Sequence, residues 1–110
     1  MPDVHRLAAL QDIDVMIRER RNEEDLGFSV VGLESLEDAR KKLAEQIESR
    51  TLRLYERLAK RYERPVVPVI EHRCLGCSIT VPTAKRNAAG SARDAALVTC
   101  ESCGRILFFV

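Results

Sequence analysis

The stretch CESCGRILFFV, residues 100–110, contains two cysteines with two residues between them, and the earlier stretch HRCLGCSITVP, residues 72–82, contains a second such pair. The four cysteines of the chain are Cys74, Cys77, Cys100 and Cys103. Two thiolates on one tight turn can bind one side of a tetrahedral ion, and a second turn beside it completes a closed four-sulfur site. The spacing therefore predicts one zinc ion per chain, bound by all four cysteines.

A closed four-cysteine site leaves no position for water or substrate, so this zinc is expected to be structural. It would hold together a segment too small to build a core. Gly76 and Gly104 fit this interpretation, because glycine lets backbone amides turn toward thiolate sulfurs. Two alternatives stay open at this point: iron in the same four-sulfur site, and thiol redox chemistry that switches between disulfide and metal-bound forms.

Two helices are predicted before the cysteines. In the first, from Val4 to about Glu24, apolar residues recur every three or four positions. Two glycines in NEEDLGFSVVG, residues 22–32, indicate a chain reversal. The second helix is expected to run without interruption from about Leu33 to Arg64, roughly 45 Å, with Ser35 and Asp38 as a capping box. These helices would pair as an antiparallel coiled-coil hairpin.

After Pro65 the character of the chain changes. PVVPVI, ITV, LVT and RILFF are predicted to be short strands, and residues 82–96 to contain one or two helical turns. The predicted fold is α+β: a helical hairpin over residues 1–64, followed over residues 65–110 by a small C4 zinc ribbon of short antiparallel strands.

Composition narrows the function classes. The 110 residues are 45% hydrophobic and 32% charged, with a formal net charge of +1, so no global charge points to nucleic acid or membrane. The two histidines, His5 and His72, have no evident nucleophile or carboxylate partner, so no enzyme activity and no small-molecule substrate are expected. Each turn that carries a pair of cysteines is called a knuckle. His72 lies just before the first knuckle and is interpreted as a surface residue rather than a spare metal ligand. No signal peptide or membrane span is recognised, which predicts a cytoplasmic protein.

The sequence also resembles a known family. YERLAKRYERPVVPVIEHRCLGCSITVP followed by CESCGRILFF is similar to the bacterial C4-type zinc-ribbon family, in which an N-terminal coiled-coil hairpin precedes the ribbon. LQDIDVMI, residues 10–17, resembles the opening helix of that family. The resemblance implies metal binding by the four cysteines, and an activity described as nucleic-acid binding or adaptor-like protein interaction. The hairpin here is shorter than is usual in the family.

Two charged surfaces are candidate contact sites. Basic residues recur every three or four positions along the predicted second helix and form a basic strip. Its members are Arg50, Arg53, Arg57, Lys60, Arg61 and Arg64. It is interpreted either as the solvated flank of a coiled coil or as a surface for phosphates or an acidic partner. At the hairpin turn, Glu23, Glu24 and Asp25 form an acidic turn. A helical hairpin with carboxylates at its end, followed by a four-cysteine zinc module, is similar in outline to bacterial regulators that insert a coiled-coil tip into RNA polymerase.

The function predicted from these features is that of a non-enzymatic zinc-binding adaptor or regulator. It would act through its helical hairpin, either on a protein partner or by self-association, because two helices alone cannot cover their apolar stripes. The alternatives are an RNA- or DNA-binding regulator that uses the basic strip, and a transcription regulator that contacts RNA polymerase through the hairpin.

Overall fold

Three helices precede a three-stranded sheet in the computed structural model, which describes residues 3–28, 31–84 and 97–109. The elements are α1 Asp3–Asp25, α2 Leu33–Glu45, α3 Ser49–Ala59, β1 Val66–Ile70, β2 Arg73–Cys74 and β3 Ile106–Phe109. The α+β class, with an N-terminal helix pair followed by a small ribbon, is confirmed.

The reversal between α1 and α2 is produced by its two glycines. The N–H of Gly27 donates to Glu24 O and that of Phe28 to Glu23 O, both at 3.0 Å, which is the hydrogen-bond pattern of a Schellman motif. Gly27 and Gly32 have φ angles of 91° and 87°, a left-handed conformation that glycine adopts without strain. The chain therefore turns back at the point that the glycines indicated.

The prediction of one continuous helix from Leu33 to Arg64 is wrong. The helix stops after Glu45 and a new one starts at Ser49, with Glu48 in an extended conformation between them. Ile47, in this break, is 5% exposed and packs in an apolar cluster with buried residues of α1 and α3. Burial of Ile47 thus accompanies the interruption, and the break turns the chain so that α3 also contacts α1.

The predicted capping box is also wrong. Helix α2 starts at Leu33, two residues before Ser35, and its N-cap is Gly32, which has no side chain to bond the first amides. Ser35 and Asp38 lie inside the helix, where Asp38 pairs with Lys42 at 3.1 Å instead.

The sheet has the order β2-β1-β3 and is mixed, which corrects the expectation of purely antiparallel strands. Strand β2 pairs with β1 in antiparallel fashion, whereas β3 pairs with β1 in parallel, Val66 opposite Ile106. A parallel pair requires a long connection, and residues 71–105, which include β2, separate β1 from β3. The predicted strands ITV and LVT contribute only single bridges, Thr80 to Arg73 and Thr99 to Ile106.

Of the helical turns predicted over residues 82–96, Thr83 and Ala84 are helical, and residues 85–96 lie outside the described part of the chain.

Two apolar clusters form the core. The first joins the helices to the sheet, and its buried members are Leu7, Leu10, Ile47, Tyr55, Leu58, Val66 and Ile106. The second surrounds the cysteines, and its buried members are Val67, Val69, Cys74, Val81, Cys100 and Leu107. Because the first cluster contains residues from both sides of the boundary proposed between residues 64 and 65, the helices and the ribbon share a core. That boundary stays a prediction.

Polar side chains of α1 attach the other elements to it. The buried amide of Gln11 donates to Val66 O at 3.0 Å and accepts from Val66 N at 2.7 Å, so it bonds the start of β1 as a neighbouring strand would. Asp14 accepts from Arg40 Nε at 2.6 Å and from Tyr55 Oη at 2.7 Å. One carboxylate therefore connects all three helices.

Asp14 also sets the ionisation of its partners. Burial and the hydrogen bond to Asp14 raise the pKa of Tyr55 far above its usual range. Partial burial alone would lower the pKa of Arg40, but the hydrogen bond and charge of Asp14 outweigh that effect and raise it. Tyr55 therefore keeps its phenolic proton and Arg40 its charge at neutral pH.

Replacing Gln11 tests its connecting role. Gln11→Leu keeps the side-chain volume but leaves the buried N–H and C=O of Val66 without this partner, so the free energy of unfolding should fall by about 2–4 kcal/mol. The matched control is Asp12→Leu on the exposed side of the same helix, which should change it by no more than about 0.5 kcal/mol. Urea unfolding followed by circular dichroism measures both, and equal effects would show that Gln11 has no special role.

Candidate metal centre and charged surfaces

The four cysteine sulfurs lie within 4.8 Å of one another. Cys77 Sγ and Cys100 Sγ are 3.5 Å apart, too far for a disulfide bond of about 2.05 Å. Four sulfurs at about 2.3 Å from a central tetrahedral zinc ion would be roughly 3.8 Å apart. The donor set therefore fits one metal ion, as the spacing predicted.

The two knuckles have the same backbone geometry. Ser78 N donates to Cys74 O at 2.7 Å, and Gly104 N donates to Cys100 O at 2.9 Å. Both residues are left-handed, with φ angles of 66° and 77°. Glycine adopts this conformation freely, whereas serine does so at a cost. The role predicted for Gly104 therefore agrees with its geometry. Ser78 occupies the equivalent position in the first knuckle, where the sequence has no glycine.

The thiols differ in their surroundings. Burial raises the pKa of Cys74, and it raises that of Cys103 to about 12. A hydrogen bond from the backbone N–H of Ile79 lowers the pKa of Cys77 to about 7. A bound zinc ion deprotonates the thiols that coordinate it, and of these three thiols Cys77 ionises most easily.

The prediction that Gly76 turns a backbone amide toward a thiolate is confirmed, because its N–H bonds the Cys74 sulfur. Its φ is not positive. The position is also short of space, because a Cβ there would collide with the guanidinium of Arg105. The guanidinium of Arg105 also stacks on the Tyr62 ring at 4.0 Å, and Tyr62 Oη donates to Cys103 O at 2.9 Å. Arg105 and Tyr62 thus connect both knuckles to the chain just after α3.

The histidines are not part of the centre. His72 is exposed, lies in the turn between β1 and β2 with φ 63°, and is not among the residues whose donor atoms cluster. The ring of His5 meets the edge of Phe108 at 4.9 Å. Phe108 packs on the first core cluster and Phe109 on the second, so the two aromatic residues of the last strand face opposite cores.

The structure divides the predicted basic strip. Arg50, Arg53 and Arg57 are exposed on α3 at helical spacing. The remaining members follow the end of that helix at Ala59 and are also exposed; they are Lys60, Arg61 and Arg64. The strip is therefore a helical face over only its first half.

The nearby carboxylates pair elsewhere. Glu56 contacts Arg40 at 3.9 Å, and Glu63 contacts Arg18 at 3.7 Å. Within the described part of the chain, the arginines of the strip on α3 form no ion pair.

The hairpin end contains apolar residues whose exposure the sequence did not indicate. Leu26, Phe28 and Val31 are 76%, 66% and 83% exposed. They adjoin the acidic turn Glu23, Glu24 and Asp25, which is exposed as expected. We call residues 19–38 the hairpin tip. The neighbouring Val30 lies outside the described residues.

The matches to known proteins concern both parts of the fold. Residues 73–107 match the model of the C4-type zinc ribbon domain. The solved structure of CT398 from Chlamydia trachomatis is similar over 71% of this chain and 33% of that chain, with a TM-score of 0.60 and 33% sequence identity. This chain thus spans about a third of the length of that protein. A search of curated proteins gave no match.

These matches confirm the resemblance to a bacterial C4-type zinc-ribbon family, and the four cysteines are placed to bind one structural zinc ion. The similarity to CT398 covers more of the chain than the ribbon alone, so it extends into the helices. None of the described helices has the length and apolar character needed to cross a membrane.

The metal content is directly measurable. Native mass spectrometry with elemental analysis should find one zinc ion per chain, and Cys100→Ser should lose it because a ligand is removed. His72→Ala is the control and should keep the ion, since four thiolates complete the site without it. Bound iron, or a protein that is metal-free after purification with zinc present, would contradict the assignment.

The matched knuckles provide a second prediction. Gly104→Ala should lower the free energy of unfolding of the zinc-loaded protein by about 1–2 kcal/mol, because alanine is strained at a positive φ although space is free around this position. Ser78→Gly should raise it by about 0.5–1 kcal/mol. Urea unfolding at fixed zinc concentration measures both changes, and the same sign for both would refute the equivalence of the two positions.

Proposed function

We propose that this protein is a non-enzymatic adaptor or regulator whose helical hairpin binds another protein, while a structural zinc ion holds the ribbon that supports it. The observation that carries the proposal is the apolar end of the hairpin. Leu26, Phe28 and Val31 are each at least 66% exposed, on a turn that the Schellman motif and Gly32 fix in position. Several large apolar side chains exposed within six residues of the chain are typical of interaction sites.

The rest of the hairpin supports the proposal. Helix α2 contains no fully buried residue, yet it packs along α1 and is joined to it by the Arg40–Asp14 and Arg21–Glu37 pairs. The tip is thus presented on a supported hairpin, and a partner that covered it would bury apolar surface. A reducing cytoplasm suits the proposal, since free thiolates bind metal there rather than form disulfides.

A second candidate function is nucleic-acid binding through α3. The observation that favours it is that Arg50, Arg53 and Arg57 share one exposed helical face while Glu56 and Glu63 pair with Arg40 and Arg18. Unpaired arginines on one face can contact successive phosphates, and such contacts supply affinity that does not depend on base sequence.

One crosslinking experiment compares the two candidates. Phe28 or Arg53 is replaced by the photoreactive residue p-benzoylphenylalanine in cells that naturally produce the protein. We expect a discrete protein adduct from position 28, because a partner would cover the tip, and none from position 53. Gel electrophoresis with protease and nuclease digestion identifies the kind of adduct, and mass spectrometry identifies its protein component.

The outcomes separate the hypotheses. A nuclease-sensitive adduct from position 53 would favour the second candidate. Protein adducts of equal yield at both positions would contradict a specific role for the tip. The absence of any adduct at position 28, with the variant shown to be folded and zinc-loaded, would overturn the proposed function.

A further inference from the structure

The charge around the hairpin tip indicates what kind of partner it fits. We infer that the tip binds a protein segment that presents an apolar stripe flanked by lysine or arginine. This inference rests on the proposed function and adds to it the chemistry of the partner.

The tip is strongly acidic in a chain that is nearly neutral. Residues 19–38 contain seven carboxylates and only two basic residues, which gives a net charge of −5, whereas the whole chain has a net charge of +1. The remaining residues therefore have a net charge of +6. Such separation is not needed for solubility, which an even distribution would also provide, and it creates a strong local negative potential.

The ion pairs in the tip do not neutralise this charge. Both of its arginines are used within it: Arg20 contacts Glu23 at 3.8 Å and Arg21 contacts Glu37 at 3.0 Å. Asp38 pairs with Lys42 on the next turn of α2. The other carboxylates of the tip form no ion pair among the described residues, and they are Glu19, Glu24, Asp25 and Glu34.

In the sequence, carboxylates without an ion pair therefore flank the exposed residues Leu26, Phe28 and Val31 on both sides. An apolar centre with a charged border is the arrangement of a protein interface, in which the centre supplies affinity and the border selects the partner. Because the border is negative, the complementary surface has an apolar centre and a positive border.

Other occupants fit less well. Nucleic acid and anionic lipid would be repelled by the net charge of the tip. A second copy of this chain offers the basic residues of α3, but none of the exposed large hydrophobic side chains in the described part of the chain lies on α3. Outside the tip they lie on α1 and in the ribbon, and they are Met16, Ile70, Leu75 and Ile79. The basic face of another copy would match the border and leave the apolar centre uncovered.

Synthetic peptides provide defined probes. Four fluorescein-labelled 18-residue peptides are compared by anisotropy. Three share a leucine stripe at i, i+3, i+4 and i+7 spacing and have lysine, glutamine or glutamate at all other positions. The fourth has the lysine composition with its leucines scrambled. We expect the lysine stripe peptide to bind the zinc-loaded protein roughly tenfold more tightly than either the glutamine or the scrambled peptide, and the glutamate peptide to bind least.

Variants identify the surface that binds. Phe28→Ser with Val31→Ser should weaken the lysine stripe peptide roughly tenfold by removing the apolar centre. Glu24→Gln, Asp25→Asn and Glu34→Gln together should weaken it severalfold and leave the glutamine stripe peptide unchanged. The matched control neutralises three exposed carboxylates outside the tip, Glu45, Glu48 and Glu71, and should leave both affinities as they are.

Different results would contradict the inference about the partner's charge and the proposed function. If the glutamine stripe peptide binds as tightly as the lysine one, or if neutralising the tip has no more effect than the control, the inference about the positive border is wrong while the proposed function stands. If the lysine stripe and scrambled peptides bind equally and the Phe28 and Val31 substitutions change nothing, the proposed function fails as well. Self-association through Phe28 and Val31, seen by sedimentation, would make a second copy the occupant and overturn the inference.

Discussion

Four sulfur atoms must approach one ion, and most of the ribbon's structure follows from that requirement. The segment after Pro65 is too short to bury a core of its own, and its second apolar cluster is built around cysteines, with Cys74 and Cys100 among its most buried members. The two knuckles are far apart along the chain, so the chain must return to β1 between them. The parallel pairing of β3 with β1 is the result of that return.

Helix α1 connects this metal-centred ribbon to the rest of the protein. Gln11 satisfies the backbone of Val66 in the manner of an adjacent strand, and Asp14, one turn later, bonds Tyr55 and Arg40. Residues three positions apart lie on the same side of a helix, so one face of α1 contacts both the ribbon and the other helices. The stretch LQDIDVMI, which resembled an opening helix of the family, contains both residues. Its polar residues thus serve the fold.

The predictions that succeeded depended on local signals. Cysteine spacing identified the metal centre, and glycines marked the reversal. Pro65 marked the start of the ribbon, although the last helix already ends at Ala59 rather than at Arg64. Those that failed depended on distant contacts. Nothing near Ile47 indicated that the helix would break there, since neither glycine nor proline is present; its burial against α1 accompanies the break. Similarly, the close packing of Arg105 against Gly76 joins positions remote in the sequence, and no local signal indicated it. The exposure of Phe28 could not be read from its apolar character.

The break after α2 also bears on function. A continuous second helix would have placed all six members of the basic strip on one long face beside the hairpin. Instead, α2 is mostly exposed and runs to the acidic tip, whereas the arginines of α3 lie on a separate helix that packs near the ribbon core through Tyr55 and Leu58. The acidic tip and the arginines of α3 therefore lie on different helices. Because unlike charges on one short helix would partly neutralise each other, this separation preserves two surfaces of opposite sign on a small protein. Of these two surfaces, only the acidic tip has exposed large hydrophobic side chains among the described residues, and they are Leu26, Phe28 and Val31.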